Sequence, residues 1–219
     1  MQLDAGGEST PDYDYIDDLS SDGEHYASVY LGGHLNFREV DRYLLGGFVG
    51  WGQSFAEDDD VSNFVTAGAE MQYYMNNITL YGQLGFVAGD NESEDTFEEG
   101  IFGRGVARFF MNPNTKFQAE VPVLSGDADG DNGEVIGWGV EVEHQVSTWS
   151  DSGVSGYLAY SGVNADFDDE EQTEQRIMVG IRVNVNSGTT LLEKDRTGAT
   201  LDLPDFVRWG QIACSISCD

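Results

Sequence analysis

Basic residues, prolines and cysteines are scarce in this sequence, and long apolar runs are absent. The 219 residues include 10 Lys or Arg against 40 Asp or Glu, which gives a formal net charge of -30. A surface of that charge repels phosphate backbones, so we expect no nucleic-acid partner. No stretch of about eighteen apolar residues occurs, so no transmembrane helix is predicted. Because 40% of the residues are apolar and only 4 are proline, the chain is expected to fold.

The motifs of common enzyme classes are also missing. The sequence contains no Gly-x-Ser-x-Gly turn, catalytic Cys/His pair, phosphate-binding glycine loop or histidine-rich metal motif. His34 and His144 fall on opposite faces of alternating segments, so a shared site is not expected. We therefore predict that the protein is not an enzyme.

The two cysteines, Cys214 and Cys218, lie within the last six residues. Their spacing is poor for zinc without a second ligand pair. In an oxidising compartment they would close a small disulfide if the chain turns there, and otherwise they remain free or pair between molecules.

Alternation of apolar and polar residues runs through residues 25–185 and predicts an all-β fold. Nine alternating segments are separated by turn residues: 25–37, 42–55, 63–75, 78–89, 100–111, 115–125, 134–146, 153–163 and 173–185. Each has about ten or more residues, whereas a globular strand averages about five or six. A tilted strand needs about 9 to 11 residues to cross a bilayer, which these segments provide.

The two faces of these segments differ in chemistry. One face is apolar, as in Ile177, Val179 and Ile181. The other face carries charged candidates for lining the lumen of a barrel: Glu70, Arg104, Arg108, Lys116, Glu120, Glu141, Glu143 and Arg182. In a narrow barrel these charges would pair into a structural network, whereas in an open pore they would select small ions and solutes.

Short and long connections alternate along the chain. The short ones are 38–41, 76–77, 112–114 and 147–152, and the long acidic ones are 56–62, 90–99, 126–133 and 164–172. An up-and-down meander with short turns at one end and long loops at the other is typical of outer-membrane barrels.

On these patterns, residues 25–185 resemble the small, porin-like outer-membrane β-barrel proteins of Gram-negative bacteria. The resemblance implies an antiparallel up-and-down transmembrane β-barrel of 8–10 strands, with short periplasmic turns and long acidic extracellular loops. It also implies contact with outer-membrane lipid, and a role as a narrow porin-like channel or as a structural or receptor surface. The alternative from another class is a soluble, secreted, acidic all-β binding module. Such barrels have an even strand number, whereas nine segments are counted here.

The chain divides into an acidic N-terminal segment or first loop (1–24), the barrel (25–185) and a C-terminal periplasmic tail (186–219). A tenth strand is expected either around Gln2 or near 189–193. In the tail, a short helix is predicted to begin just before Pro204. The tail is expected to cap the barrel, or to bind a second copy or a periplasmic or membrane protein.

The acidic loops are either a solvated surface or a site for Ca²⁺ or Mg²⁺, because clustered carboxylates supply hard oxygen ligands. The candidate metal ligands are Asp58, Asp59, Asp60, Asp127, Asp129 and Asp131. The segment from Asp127 is not an EF-hand, since Asn132 replaces the required glycine and Trp138 the expected glutamate.

Overall fold

The protein is described by a computed structural model, in which ten antiparallel strands form one sheet in simple chain order. The described residues are 2–9, 27–55, 61–89, 97–128, 131–149, 152–167, 170–184 and 190–198. The strands are β1 (Gln2–Ser9), β2 (Ala27–Glu39), β3 (Tyr43–Phe55), β4 (Val61–Met75), β5 (Ile78–Gly89), β6 (Phe97–Asn112), β7 (Thr115–Ala128), β8 (Asp131–Trp149), β9 (Ser152–Phe167) and β10 (Glu170–Asn184). One short helix follows, α1 (Leu191–Thr197).

The predicted antiparallel up-and-down order is confirmed, because every strand pairs with its neighbours in sequence. Tight turns join the strands at one end of the sheet, which we call the short-turn end. Asp41 and Asn76 have positive φ angles of 64° and 45° in two of these turns. Asp and Asn tolerate this left-handed conformation better than other non-glycine residues, which explains their place in the hairpins.

Two of the predicted long loops are wrong in length. The proposed loop 126–133 is mostly strand, because Gly126 pairs with Gly133 and Ala128 with Asp131. The proposed loop 164–172 is likewise mostly strand, with Phe167 paired to Glu170.

The tenth strand is β1, which pairs with β2 from Gln2 opposite His34 to Ser9 opposite Ala27. The alternative, a last strand near 189–193, is wrong, because this stretch enters α1. Thr190 caps the helix: its hydroxyl accepts a hydrogen bond from the Glu193 backbone N–H, and the Glu193 carboxylate accepts one from the Thr190 N–H. This capping box favours helix over strand. The helix predicted at Pro204 lies outside the described residues.

The sheet is not closed, since the described residues of β1 and β10 do not pair with each other. Each outer strand therefore keeps one edge unpaired. The three most exposed large apolar side chains of the described residues lie on β10: Val179 at 83%, and Ile177 and Ile181 at 76%.

One side of this sheet exposes its large apolar side chains, and the other side buries polar and charged side chains together with apolar ones. Along β4, Thr66, Glu70 and Gln72 are buried, while Met71 and Tyr73 between them are about half exposed. From β2 to β9 the exposed side is likewise apolar, whereas the buried side is mixed and also holds apolar side chains such as Phe48, Phe102 and Leu124. We call the buried side the polar face and the exposed side the apolar face.

The sheet curves around its polar face, as contacts between distant strands show. The rings of Phe48 on β3 and Phe102 on β6 lie 5.9 Å apart although two strands separate them. They meet over Gly68 and Gly85, where an added Cβ would lie 2.5 Å and 2.8 Å from the respective ring atoms. The missing side chains let both rings lie against the sheet, which allows the strong curvature.

Among the described residues, no helix is long and apolar enough to cross a membrane.

Candidate functional site

Two glutamates and two basic residues form an ion-pair network on the polar face near the short-turn end. Lys116 Nζ lies 2.8 Å from Glu143 Oε2 and 3.1 Å from Glu141 Oε1. Arg182 crosses from β10 to the same carboxylates on β8, at 2.6 Å and 3.2 Å. Ser155, fully buried on the intervening β9, donates a 2.5 Å hydrogen bond to Glu143. The four charges balance one another, so the network needs no external ion.

A second ion pair joins neighbouring strands on the polar face, farther from the short-turn end. Arg104 on β6 donates to Glu120 on β7 through Nη2 at 2.5 Å and through Nε at 3.2 Å. Both bonds end on the same carboxylate oxygen, Glu120 Oε2, and because both groups are charged they are stronger than bonds between neutral groups.

Helix α1 packs against the polar face through Asp195. The Asp195 carboxylate forms an ion pair with Arg108 on β6 and accepts a 2.5 Å hydrogen bond from the Thr79 hydroxyl on β5. Both side chains of the ion pair are more than nine-tenths buried. A charge buried at this depth depends on its partner, so Asp195 and Arg108 hold the helix in one position.

Further contacts spread α1 across the short-turn end. Arg196 donates to the Asn76 carbonyl at 2.8 Å, and its guanidinium lies 4.5 Å from the centre of the Tyr74 ring. Lys194 Nζ donates to Gln145 on β8 at 3.3 Å, and burial lowers the pKa of this lysine. A seven-residue helix thus contacts residues from β4 to β8, which is possible because the sheet wraps around it.

A buried His–Glu–Tyr cluster occupies the middle of the polar face. His34 Nδ1 lies 3.1 Å from Glu70 Oε2, and both side chains are fully buried. The Tyr81 hydroxyl donates a 2.8 Å hydrogen bond to the same carboxylate oxygen. Two polar groups therefore converge on Oε2, while the other oxygen, Oε1, has no hydrogen-bond partner among the described residues.

Two glutamines beside this cluster also have unpartnered atoms. Gln83 is the register partner of Glu70 and is 5% exposed. Within the described part of the chain, neither its amide oxygen nor its amide nitrogen has a hydrogen-bond partner. Gln72 accepts a 2.5 Å hydrogen bond from Tyr74, but its nitrogen is likewise unpartnered there. Buried polar atoms are normally satisfied, so these two glutamines are exceptions within the described part of the fold.

The structure places the eight predicted lumen-lining charges on the polar face, but it pairs them unequally. Six of them pair among themselves in the two networks above. Arg108 instead pairs with Asp195, and Glu70 with His34 and Tyr81. The alternation did not predict these three partners, and the capping-box pattern of Thr190 and Glu193 is the one sequence signal that could have indicated the helix carrying Asp195.

The other predicted sites lie largely beyond the described residues. This holds for Cys214, Cys218, Asp58, Asp59, Asp60 and Asp129. Asp127 and Asp131 belong to β7 and β8 rather than to a loop, which is a correction. The described residues contain no group of three or more His, Cys, Asp or Glu side chains suited to a metal ion.

Neither the protein-family models nor the curated proteins compared with this sequence give a match, so the functional interpretation depends on the geometry of the two faces.

Proposed function

We propose that this chain is an integral outer-membrane β-barrel with an occluded lumen, serving as a structural or receptor surface. The exposed apolar face of the sheet is the observation that carries this proposal. Among the described residues, thirty large apolar side chains are exposed, and all of them except Val40, which lies in a turn, are on the exposed side of successive strands. A continuous belt of this kind far exceeds the apolar patches of soluble monomers, whereas lipid provides a matching solvent.

Insertion into lipid would require β10 to pair with β1 and close the barrel. Unpaired backbone groups cost several kcal/mol each in hydrocarbon, so an open edge is not tolerated there. The up-and-down order brings β1 and β10 to the two edges of one curved sheet, as closure needs. In the closed form, the polar face becomes the lumen.

Occlusion is supported by what fills the polar face. Ion pairs link side chains across β6 to β10, and α1 covers the short-turn end through Asp195 and Arg196. A barrel of about eight to ten strands has an interior that side chains can fill. In the proposed orientation, α1 stands at the periplasmic end.

Matched arginine substitutions test the membrane proposal. Val179→Arg places a charge on the apolar face of β10, where Val179 is 83% exposed, and Val40→Arg places one in a turn, where Val40 is 54% exposed. In a bilayer, Val179→Arg should lower the free energy of unfolding by up to about 2–4 kcal/mol, and Val40→Arg should lower it little. Refolding into lipid vesicles, followed by urea titration, measures the difference. Equal, near-neutral effects, together with monodispersity without detergent, would favour the soluble binding module.

A narrow porin-like channel is the second candidate, because Glu70, Gln72 and Gln83 present unpartnered polar atoms along one wall. Planar-bilayer conductance of two truncated chains separates the candidates. A chain ending at residue 198 retains α1, and one ending at residue 189 lacks it. Occlusion by α1 is supported if the full-length chain and the chain ending at residue 198 give no conductance while the chain ending at residue 189 conducts. Steady conductance of the full-length chain would support the channel.

A further inference from the structure

Three arginines gather around one carboxylate where α1 meets the polar face. Arg108 on β6 forms an ion pair with one oxygen of Asp195, and Arg196 Nε lies 3.6 Å from the other oxygen. Arg38 extends into the same region from β2. The charges of the three arginines and of Asp195 all act on the Tyr74 hydroxyl, so these groups lie close together. We call Arg38, Arg108 and Arg196 the arginine cluster.

Each member of the arginine cluster has a buried nitrogen atom without a hydrogen-bond partner among the described residues. These atoms are Arg38 Nη1, Arg108 Nη2 and Arg196 Nε. The amide nitrogen of Gln72, whose oxygen is bonded to Tyr74, is a fourth unpartnered donor in this region. Guanidinium and amide nitrogens only donate hydrogen bonds, so the group that would satisfy them is an acceptor. Buried donors are normally paired, and four together are what a missing acceptor would leave.

The charge of the arginine cluster is also unbalanced. In the described part of the chain, Asp195 is the only carboxylate that forms an ion pair with any of the three arginines. The other carboxylates of the polar face belong to the His–Glu–Tyr cluster or to the two ion-pair networks described above. Arginine stays protonated at every physiological pH, so three positive charges face one negative charge and two are left over.

We propose that the arginine cluster binds one small oxyanion, such as inorganic phosphate. The oxygen atoms of the anion accept hydrogen bonds from the guanidinium groups, and its negative charge offsets the positive charge that Asp195 does not balance. Donors on three separate side chains require several acceptor atoms, which favours a tetrahedral oxyanion over chloride. Guanidinium groups also present planar pairs of donors that match phosphate oxygens.

The position of Arg38 gives the anion a route to the cluster. Arg38 is only partly buried and lies beside the turn between β2 and β3, so the cluster is reached from the short-turn end. Asp195 keeps its ion pair with Arg108, and the anion is therefore bound next to α1 without displacing it. The proposal concerns the polar face alone, so it does not depend on membrane insertion.

Isothermal titration calorimetry of the purified full-length chain with sodium phosphate tests the site. The chloride concentration is held constant, and the buffer or detergent is the one that keeps the chain monodisperse. We expect one phosphate to bind per chain. At ten times the dissociation constant, phosphate should also raise the melting temperature by about 3–6 °C. The absence of binding at millimolar phosphate would overturn the proposal and would show that another group satisfies the arginines.

A matched pair of arginine variants identifies the site. Arg38→Met removes one unpartnered donor and breaks no ion pair with a described residue, so its melting temperature in chloride alone should be nearly unchanged. It should bind phosphate at least about ten-fold more weakly, because hydrogen bonds between charged groups are lost. Arg42→Met is the control, since the Arg42 guanidinium is exposed and paired with Glu39, and it should bind phosphate as the unmodified chain does. An unchanged dissociation constant in Arg38→Met, or equal weakening in both variants, would overturn the proposal.

Discussion

Replacement of Asp195 by leucine should test whether one buried ion pair holds α1 on the polar face. The Asp195→Leu variant leaves the Arg108 guanidinium, whose side chain is 6% exposed, without its carboxylate. Loss of one partner of a buried pair costs about 3–5 kcal/mol. Arg108 keeps a 3.2 Å hydrogen bond to Gln118 and its place 5.8 Å from the centre of the Tyr81 ring, and Thr79 loses its acceptor; none of these supplies a negative charge, so little compensation is expected.

The remaining contacts of α1 set a limit to this loss. An isolated helix of seven residues is not stable in water, so without Asp195 the helix depends on buried Leu191, on the Leu192 N–H bonded to the Pro113 carbonyl, and on the contacts of Lys194 and Arg196. If these contacts do not hold α1, the helix leaves the sheet and water reaches Arg108. The loss in the free energy of unfolding is then limited to the free energy with which α1 binds to the sheet.

The assay is urea unfolding followed by tryptophan fluorescence, with a double-mutant cycle. Combining Asp195→Leu with Arg108→Met removes both charges and should recover at least about 2 kcal/mol, because no buried charge is then left unpaired. Asp166→Leu, at an exposed position on β9, is the control and should change stability by about 0.5 kcal/mol or less. A loss below about 1 kcal/mol in the single variant, or a double variant no more stable than the single one, would refute the reasoning.

Two further substitutions test local packing and capping. Gly68→Ala should destabilise the fold by about 1–3 kcal/mol, because the added Cβ would lie 2.3 Å from the Leu84 carbonyl oxygen. Gly105→Ala is the control and should be near neutral, because an added Cβ there has no atom within 4 Å. Calorimetry that finds equal stability for the two variants would contradict the close approach of strands at Gly68. Thr190→Ala removes the capping box and should cost about 1 kcal/mol, measured by urea unfolding, with Thr190→Ser as the conservative control that retains the hydroxyl.

The sequence predicted the strands well because their period is two, and the period also determines which side chains share a face. The segment 78–89 coincides with β5, and Glu70, Arg104 and Glu141 all lie on the polar face as the alternation requires. Strand ends were less predictable, because acidic residues such as those near Asp127 fit both loops and hydrated strand ends.

The pairing of side chains within the polar face could not be predicted. Alternation indicates the face on which a side chain lies, but not which side chains of other strands lie beside it. Those neighbours depend on strand register and on the curvature of the sheet. His34 reaches Glu70 across β3 only because the sheet bends, and Asp195 reaches Arg108 only because a helix lies inside the curve. The helix itself was missed because seven residues with two adjacent leucines show no helical period.

The contacts of α1 also carry a consequence for the order of folding. Every strand pairing joins neighbours in sequence, so each hairpin can form locally and early. In contrast, Asp195 and Arg196 bond to groups 87 to 120 residues earlier in the chain. These partners come from separate strands and turns, and they converge only after the intervening hairpins have assembled. Docking of α1 should therefore be among the last steps of folding, and a slow phase that vanishes in Asp195→Leu would identify it.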